Sequence, residues 1–168
     1  MTTRVIATFP AFASAEEIER IRRAYDPLAD SIPPHITLVF PFTSALSSDE
    51  LLEHMRHAVA GIPPFPVHLQ GVTGHMSEYL FLNVKRGNDE LIALHDRLYT
   101  GILAPYLLPQ FTYTPHLTVG RLASVAAFSA ALQDAQSLTV RFEETIHEIS
   151  LYAVEPDGRR AIEGHVAL

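Results

Sequence analysis

The chain contains no cysteine, which excludes a disulfide framework and any thiolate nucleophile or thiolate metal ligand. Charge is also sparse: Asp, Glu, Lys and Arg make up 18% of 168 residues, and no like-charge block is long enough to read as a disordered tail. Acidic residues outnumber basic ones, for a net charge of −7 with histidine neutral. Proteins that grip long duplexes by neutralising phosphates are usually basic, so a nucleic-acid ligand here would be a small nucleotide or an RNA terminus. No run approaches the length of a membrane span. Met1-Thr2-Thr3-Arg4 leads directly into an apolar strand pattern without a signal-peptide layout, so the expectation is a cytoplasmic protein with no membrane partner. Nothing in the pattern calls for an oligomer, and a monomer is the default.

What is present is one short phrase, written twice. Pro34-His35-Ile36-Thr37-Leu38 recurs as Pro115-His116-Leu117-Thr118-Val119, 81 residues later. A bare His-x-Thr triplet is weak, since roughly 0.6 of one is expected by chance in this composition. Requiring the proline before it and aliphatic residues around the threonine lowers that expectation to roughly a few thousandths. Strand side chains alternate faces, so each copy offers an imidazole and a hydroxyl on one side and two aliphatics to a core on the other. Two such strands brought together would put two histidines and two threonines around one point.

The rest of the chain reads as alternating strands and helices. Val5–Phe9 is a strand, and Ser14 with Glu17 has capping-box spacing for a helix that ends at Asp26-Pro27. The first motif strand runs from His35 to Phe40 and stops at Pro41. Ser47 and Glu50 cap a second helix that Gly61 closes, before a stiff Pro-rich linker. Val67–Val72 and Tyr79–Val84 are strands with Gly71–Ser77 as the loop between them. Asn88 caps a third helix with Leu91, Leu94, Leu98 and Ile102 along its apolar stripe, where His95 reads as packing. Pro105–Tyr113 is a loop that delivers the second motif strand. Ser124 opens a short Ala-rich helix, Thr139–Phe142 and Ile146–Val154 are strands, Glu155–Gly158 is a turn, and the tail adds an edge strand. The pattern is an α/β or α+β layout with an internal pseudo-repeat.

Histidine has the side chain best suited to give and take protons near neutrality. Two of them across a cleft divide the work of in-line displacement at phosphorus, one removing a proton and one protonating the departing oxygen. Threonine hydroxyls donate to the non-bridging oxygens where charge must be stabilised. This chemistry requires neither metal nor cofactor. A competing metal reading uses His54 and His57, three apart on the polar face of the second helix with Glu50 or Glu53. The sequence offers no second half for that site, and a solvated helix face accounts for it.

The paired motifs resemble the signature of the two-histidine (2H) phosphoesterase superfamily, and more narrowly its branch of 2'-5' RNA ligase-like proteins and cyclic phosphodiesterases. Arg4–Pro10 is similar to that family's opening strand, and Tyr79–Val84 to the strand before its third helix. The resemblance implies an α+β fold of two pseudo-symmetric βαβ-type lobes in one bilobal domain, 1–168, with antiparallel sheets facing a central cleft and one His-x-Thr strand from each lobe. It implies metal-independent opening of 2',3'-cyclic phosphates at nucleotide or RNA ends, and in some members making or breaking of 2'-5' RNA linkages. His35, Thr37, His116 and Thr118 are the catalytic residues it carries over, and Arg121 matches a position for a phosphate contact. The first motif, followed by Phe40-Pro41-Phe42, has no nearby arginine or lysine. A nucleotide-binding module of the same fold with little turnover is the alternative. Phe9, Phe12, Phe40, Phe42, Tyr79 and Tyr113 are candidates to stack on a base. His68, His75, His147 and His165 read as structural.

Overall fold

The two motif strands meet at the centre of a single eight-stranded sheet in the computed structural model, which describes residues 1–168. The elements run β1 (Thr2–Thr8), α1 (Ala15–Tyr25), β2 (Ile36–Ser44), α2 (Ser48–Val59), β3 (Phe65–His75), β4 (Tyr79–Arg86) and α3 (Asn88–Leu98). A 3₁₀ turn (Gly101–Tyr106), β5 (His116–Arg121), α4 (Val125–Ala135), β6 (Phe142–Ile146), β7 (Glu148–Val154) and β8 (Arg160–Ala167) follow. The strand order is β6-β3-β4-β5-β2-β1-β7-β8, and every neighbouring pair is antiparallel.

The pseudo-repeat is visible in that order. Reading outward from the centre, β2, β1, β7 and β8 in one half correspond to β5, β4, β3 and β6 in the other. As the resemblance implied, the strands of the strand-helix-strand units β1-α1-β2 and β4-α3-β5 lie antiparallel. In addition, β3 belongs to the second half, because a three-residue turn folds it back on β4, while β7 and β8 from the end of the chain complete the first half. The halves join through one backbone pair, Ile36 with Leu117.

Helices exchange across this seam. α1 packs on β5 and α3 on β2, while α2 covers β7 and β8 and α4 covers β3 and β4. The aliphatics of the motifs, Ile36, Leu38, Leu117 and Val119, are all fully buried in the main core beneath the helices. A small second cluster of Val5, Ala7, Ile32 and Tyr152, flanked by Phe9 and Val154, is separate from that core.

Local signals were realised unevenly. Ser47 Oγ accepts from Glu50 N at 3.2 Å while the Glu50 carboxylate accepts from Ser47 N at 2.8 Å, the expected capping box. Ser14 makes no such bond, because its ψ of 32° lies outside the extended geometry that an N-cap needs. The third helix is preceded by Gly87 at φ 90°, where a Cβ would meet Val67 Cγ1 at 2.8 Å and Pro66 O at 2.9 Å. Glycine is the residue that fits there, and Asn88 instead donates its side-chain amide to Val84 O. Pro41 does not stop β2. It lies where Arg4 faces Phe42 and Ile6 faces Val39, a bulge at which the ladder does not require its missing N–H. The expected Gly71–Ser77 loop shrinks to a turn at Met76 and Ser77, both at positive φ, because β3 continues to His75. β6 starts at Phe142, where the sequence reading ended a strand begun at Thr139.

Candidate active site

In antiparallel strands, neighbours of a facing pair also face one another in reverse order. The Ile36–Leu117 pair therefore sets His35 beside Thr118 and Thr37 beside His116, all four on the face opposite the core. His35 immediately precedes β2, and His116 opens β5. Each threonine is followed by a bulge. Ala7 faces Thr37 and Ile6 faces Val39, so Leu38 is the extra residue. Phe81 faces Thr118 and Leu80 faces Gly120, so Val119 is the extra residue in the second half. A bulge bends its strand and re-aims the side chains on either side. Here it lets Leu38 and Val39 both enter the core while Thr37 stays on the open face.

The two imidazoles are held in the same way. His35 Nδ1 lies 2.9 Å from Pro33 O, and His116 Nδ1 lies 2.6 Å from Thr114 O. A carbonyl only accepts, so Nδ1 carries the proton in both rings, and the neutral form leaves a lone pair on Nε2. The intervening prolines, Pro34 and Pro115, have their φ fixed near −65° and stiffen both turns. Burial pushes both histidines below the ordinary range, against the opposing pull of those carbonyls. Positive charge on His75 or His35 lowers His116 further, while around His35 the lowering by Arg22 and Arg160 is opposed by Asp26. In the free protein at pH 7 the neutral form is thus favoured in both rings, with Nε2 as the proton acceptor of each.

Aromatic rings frame the pair. Phe81 stacks on His116 at 3.6 Å between centroids, and His75 stacks on the same phenyl ring at 5.1 Å. On the other side Phe9 lies 5.7 Å from His35, and Tyr152 meets it edge-on at 6.3 Å. Burial holds the Tyr152 phenol up at about 12, so it stays neutral at any working pH. Buried Arg22 braces the approach to His35: it pairs with Asp26 at 2.9 Å and donates to Ile32 O at 2.8 Å and Leu28 O at 3.3 Å. Arg121 points out to Glu78, with Nε–Oε1 at 2.7 Å, and lies 5.4 Å above the Tyr79 ring.

The structure thus draws His35, Thr37, His116 and Thr118 together and leaves Arg121 at the rim in an ion pair. Of the candidate aromatics, Phe9 borders the site, while Phe12 and Phe42 are core residues at 5% exposure. His75, read as structural, packs on Phe81, the ring that stacks on His116. Phe81 and Tyr152 were missed by the sequence reading. Alternation along β4 would put Phe81 on one face with Tyr79 and Asn83, but which strand that face adjoins is set by long-range pairing. His54 bonds none of these four residues: its Nε2 lies 2.8 Å from Leu98 O, and His57 lies 3.6 Å from Glu53. No three His, Asp or Glu side chains converge as a metal-holding group, and no helix is long and apolar enough to cross a membrane.

Residues 10–158 match the model of the family described as the 2'-5' RNA ligase superfamily. A protein of Geobacillus thermodenitrificans named "Putative phosphoesterase" is 31% identical over 149 residues, covering 87% of this chain and 84% of its own. Two solved structures share the fold. E. coli LigT complexed with 3'-AMP superposes with a TM-score of 0.67 at 22% identity, over 99% of this chain and 98% of LigT. The Thermus thermophilus protein TT0787 gives a TM-score of 0.68 at 15% identity, over 99% and 97% of the two chains. LigT has also been solved in complex with ATP and with NADP+.

Proposed function

The chain belongs to the 2'-5' RNA ligase superfamily, and on that premise we propose that it is a phosphodiesterase opening 2',3'-cyclic phosphates of nucleotides or RNA ends, or related 2'-linked diesters. The observation that carries this reading is the matched pair of histidines, each with Nδ1–H on a backbone carbonyl and Nε2 free. One histidine takes a proton from water through Nε2 as the water oxygen attacks phosphorus. The ring P–O bond on the far side breaks, and the other histidine, as imidazolium, protonates the departing ribose oxygen. Thr37 and Thr118 donate their hydroxyls to the non-bridging oxygens. The site is a single bilobal one, with half of the machinery from each side of the seam.

Both imidazoles favour the neutral form in the free protein, so one of them takes up the proton for the leaving group from solvent as the substrate binds. A phosphodiester anion between the rings favours the charged form of one of them and raises its pKa. For ligation of a 2'-5' linkage the same groups exchange roles by microscopic reversibility. The small-nucleotide complexes of LigT support a ligand of that class for this chain, as does the net charge of −7, which disfavours long duplexes.

The test is turnover of 2',3'-cyclic nucleotides, cyclic-phosphate-ended RNA and a 2'-5'-linked dinucleotide in EDTA. Activity should persist with chelator and fall by roughly 10²–10⁴ in His35→Ala and in His116→Ala separately. Nucleotide binding without any product, surviving loss of one histidine, would replace this reading with a binding module. Sensitivity to chelator would defeat the metal-independent mechanism.

A further inference from the structure

Beyond the Ile36–Leu117 pair, β5 offers β2 no further backbone partner. Side chains take over instead. Tyr113 Oη donates to Thr37 O at 2.9 Å, His95 Nδ1 donates to Leu38 O at 2.8 Å, and Phe40 N donates to Tyr99 Oη at 3.0 Å. Three of the four residues from Thr37 to Phe40 are thus anchored through their main chain. Leu38 is the bulge residue, whose carbonyl falls out of the β1–β2 ladder and needs another donor.

The anchoring groups lock one another. The His95 ring lies flat on Tyr113, 3.8 Å between centroids and 7° from parallel, with Tyr99 edge-on at 4.8 Å. Phe40 closes the group edge-on at 6.3 Å from both His95 and Tyr113. Tyr113 also immediately precedes Thr114, whose carbonyl holds the His116 ring. Its hydroxyl is therefore fixed to the strand of the first motif while its backbone leads into the support of the second.

We infer that Tyr113, backed by the stacked ring of His95, is a positioning residue that sets the spacing between the two histidine motifs. This rests on the acid–base reading of His35 and His116. With one backbone pair at the seam, the Tyr113–Thr37 bond ties the two motif strands directly, beside the His95–Leu38 and Tyr99–Phe40 bonds and the crossed helices. Reacting groups held in line tolerate little displacement, with a misplacement of about 1 Å costing up to about 10²-fold in rate.

The experiment compares Tyr113→Phe, His95→Asn and His95→Gln with the wild-type protein on whichever cyclic nucleotide the wild type turns over. Imidazole NMR titrations of His35 and His116 are read alongside. Tyr113→Phe, which keeps the ring and its stack, should lower kcat by roughly tenfold or more with KM within about twofold. It should also move the His116 titration toward the ordinary histidine range as the seam loosens and admits water. Both His95→Asn and His95→Gln remove the ring that backs Tyr113 and should lower kcat and move the His116 titration as Tyr113→Phe does, the asparagine less, because it keeps an amide N–H where Nδ1 stood against the Leu38 carbonyl. Wild-type kcat together with an unmoved His116 titration in folded Tyr113→Phe would overturn the inference. If the wild type turns over no diester, the acid–base reading fails, and the titration alone then decides whether Tyr113 sets the geometry of the site. Were Tyr113→Phe not to fold, the two His95 variants, which both remove the ring backing Tyr113, carry the decision: wild-type kcat with an unmoved His116 titration in both would overturn the inference.

Discussion

Phe81 covers one face of His116 at 3.6 Å, whereas the nearest ring to His35, Phe9, stands off at 5.7 Å and tilts by 41°. The pseudo-twofold that relates the strands, the bulges and the Nδ1 carbonyl partners stops at this contact. Two chemically identical groups in related positions thereby receive different surroundings, which is how a symmetric pair acquires distinct proton affinities.

Replacing Phe81 by alanine should raise the titration point of His116 and leave that of His35 nearly unchanged. Two effects oppose each other. A phenyl face attracts an imidazolium and would favour the charged form, while the same ring excludes water and disfavours it. Burial is the leading cause of the depressed His116 value with the ring present, so rehydration should win. NMR titration of the two C2 protons in Phe81→Ala measures this directly, and a fall at His116 would mean that ring attraction dominates.

The buried histidines should also set the acid stability of the fold. His35, His95 and His116 all titrate below their ordinary value, with burial as the first cause. The unfolded chain then binds more protons than the native one between the lowered values and about pH 6.5. Stability should be flat above about pH 7 and decline as pH falls from about 6.5 through the folded pKa values. Urea midpoints measured from pH 8 to pH 5 should show a shallower decline in the His35→Ala/His116→Ala double variant, and parallel curves would refute the assignment.

Arg22 is the clearest structural liability. It is 1% exposed, pairs with Asp26 and donates to the Leu28 and Ile32 carbonyls. Truncation to alanine strips the Ile32 carbonyl of its Arg22 donor and Asp26 Oδ2 of its cation, although Asp26 Oδ1 keeps Leu28 N and the Leu28 carbonyl keeps Ser31 N and Ile32 N. Breaking a buried pair from one side costs about 3–5 kcal/mol. Because Ile32 is followed by Pro33, whose carbonyl holds His35, the damage should reach the site. Chemical denaturation of Arg22→Ala should show the loss, and a change under about 1 kcal/mol would place the support of this loop elsewhere.

Much of this was legible from local pattern. The proline-led His-x-Thr repeat located both motif strands, and the Ser47/Glu50 box marked the second helix, because each is a relation among residues within a few positions. Alternation alone also told which motif residues would be core, and Ile36, Leu38, Leu117 and Val119 are indeed fully buried. The bulges at Leu38 and Val119 were not legible, since a bulge is a mismatch between two strands and neither strand carries it alone. The pairing of β3 with β4, the stack of His75 and Phe81 on His116, and the edge contact of Tyr152 with His35 depend on the same distant pairings. His95 read as packing is half of its role, because the bond to Leu38 O exists only once α3 has crossed onto the other half's strand.

Arg121 offers a test of whether its ion pair competes with substrate. Nε lies 2.7 Å from Glu78, and both side chains are largely exposed at 58% and 37%. Exposed pairs of this kind contribute about 0–1 kcal/mol, so Glu78 can be removed with little effect on the fold. Glu78→Gln deletes a negative charge beside the rim and frees the guanidinium, which the Tyr79 face still orients at 5.4 Å. If Arg121 serves the substrate phosphate, this variant should lower KM for a cyclic nucleotide by roughly two- to fivefold at low salt, and the gain should fade as salt screens the rim. Arg121→Ala should raise KM in the same assay, with kcat less affected. An unchanged KM in both variants would confine Arg121 to its surface pairing and leave the histidines and threonines to hold the phosphate unaided.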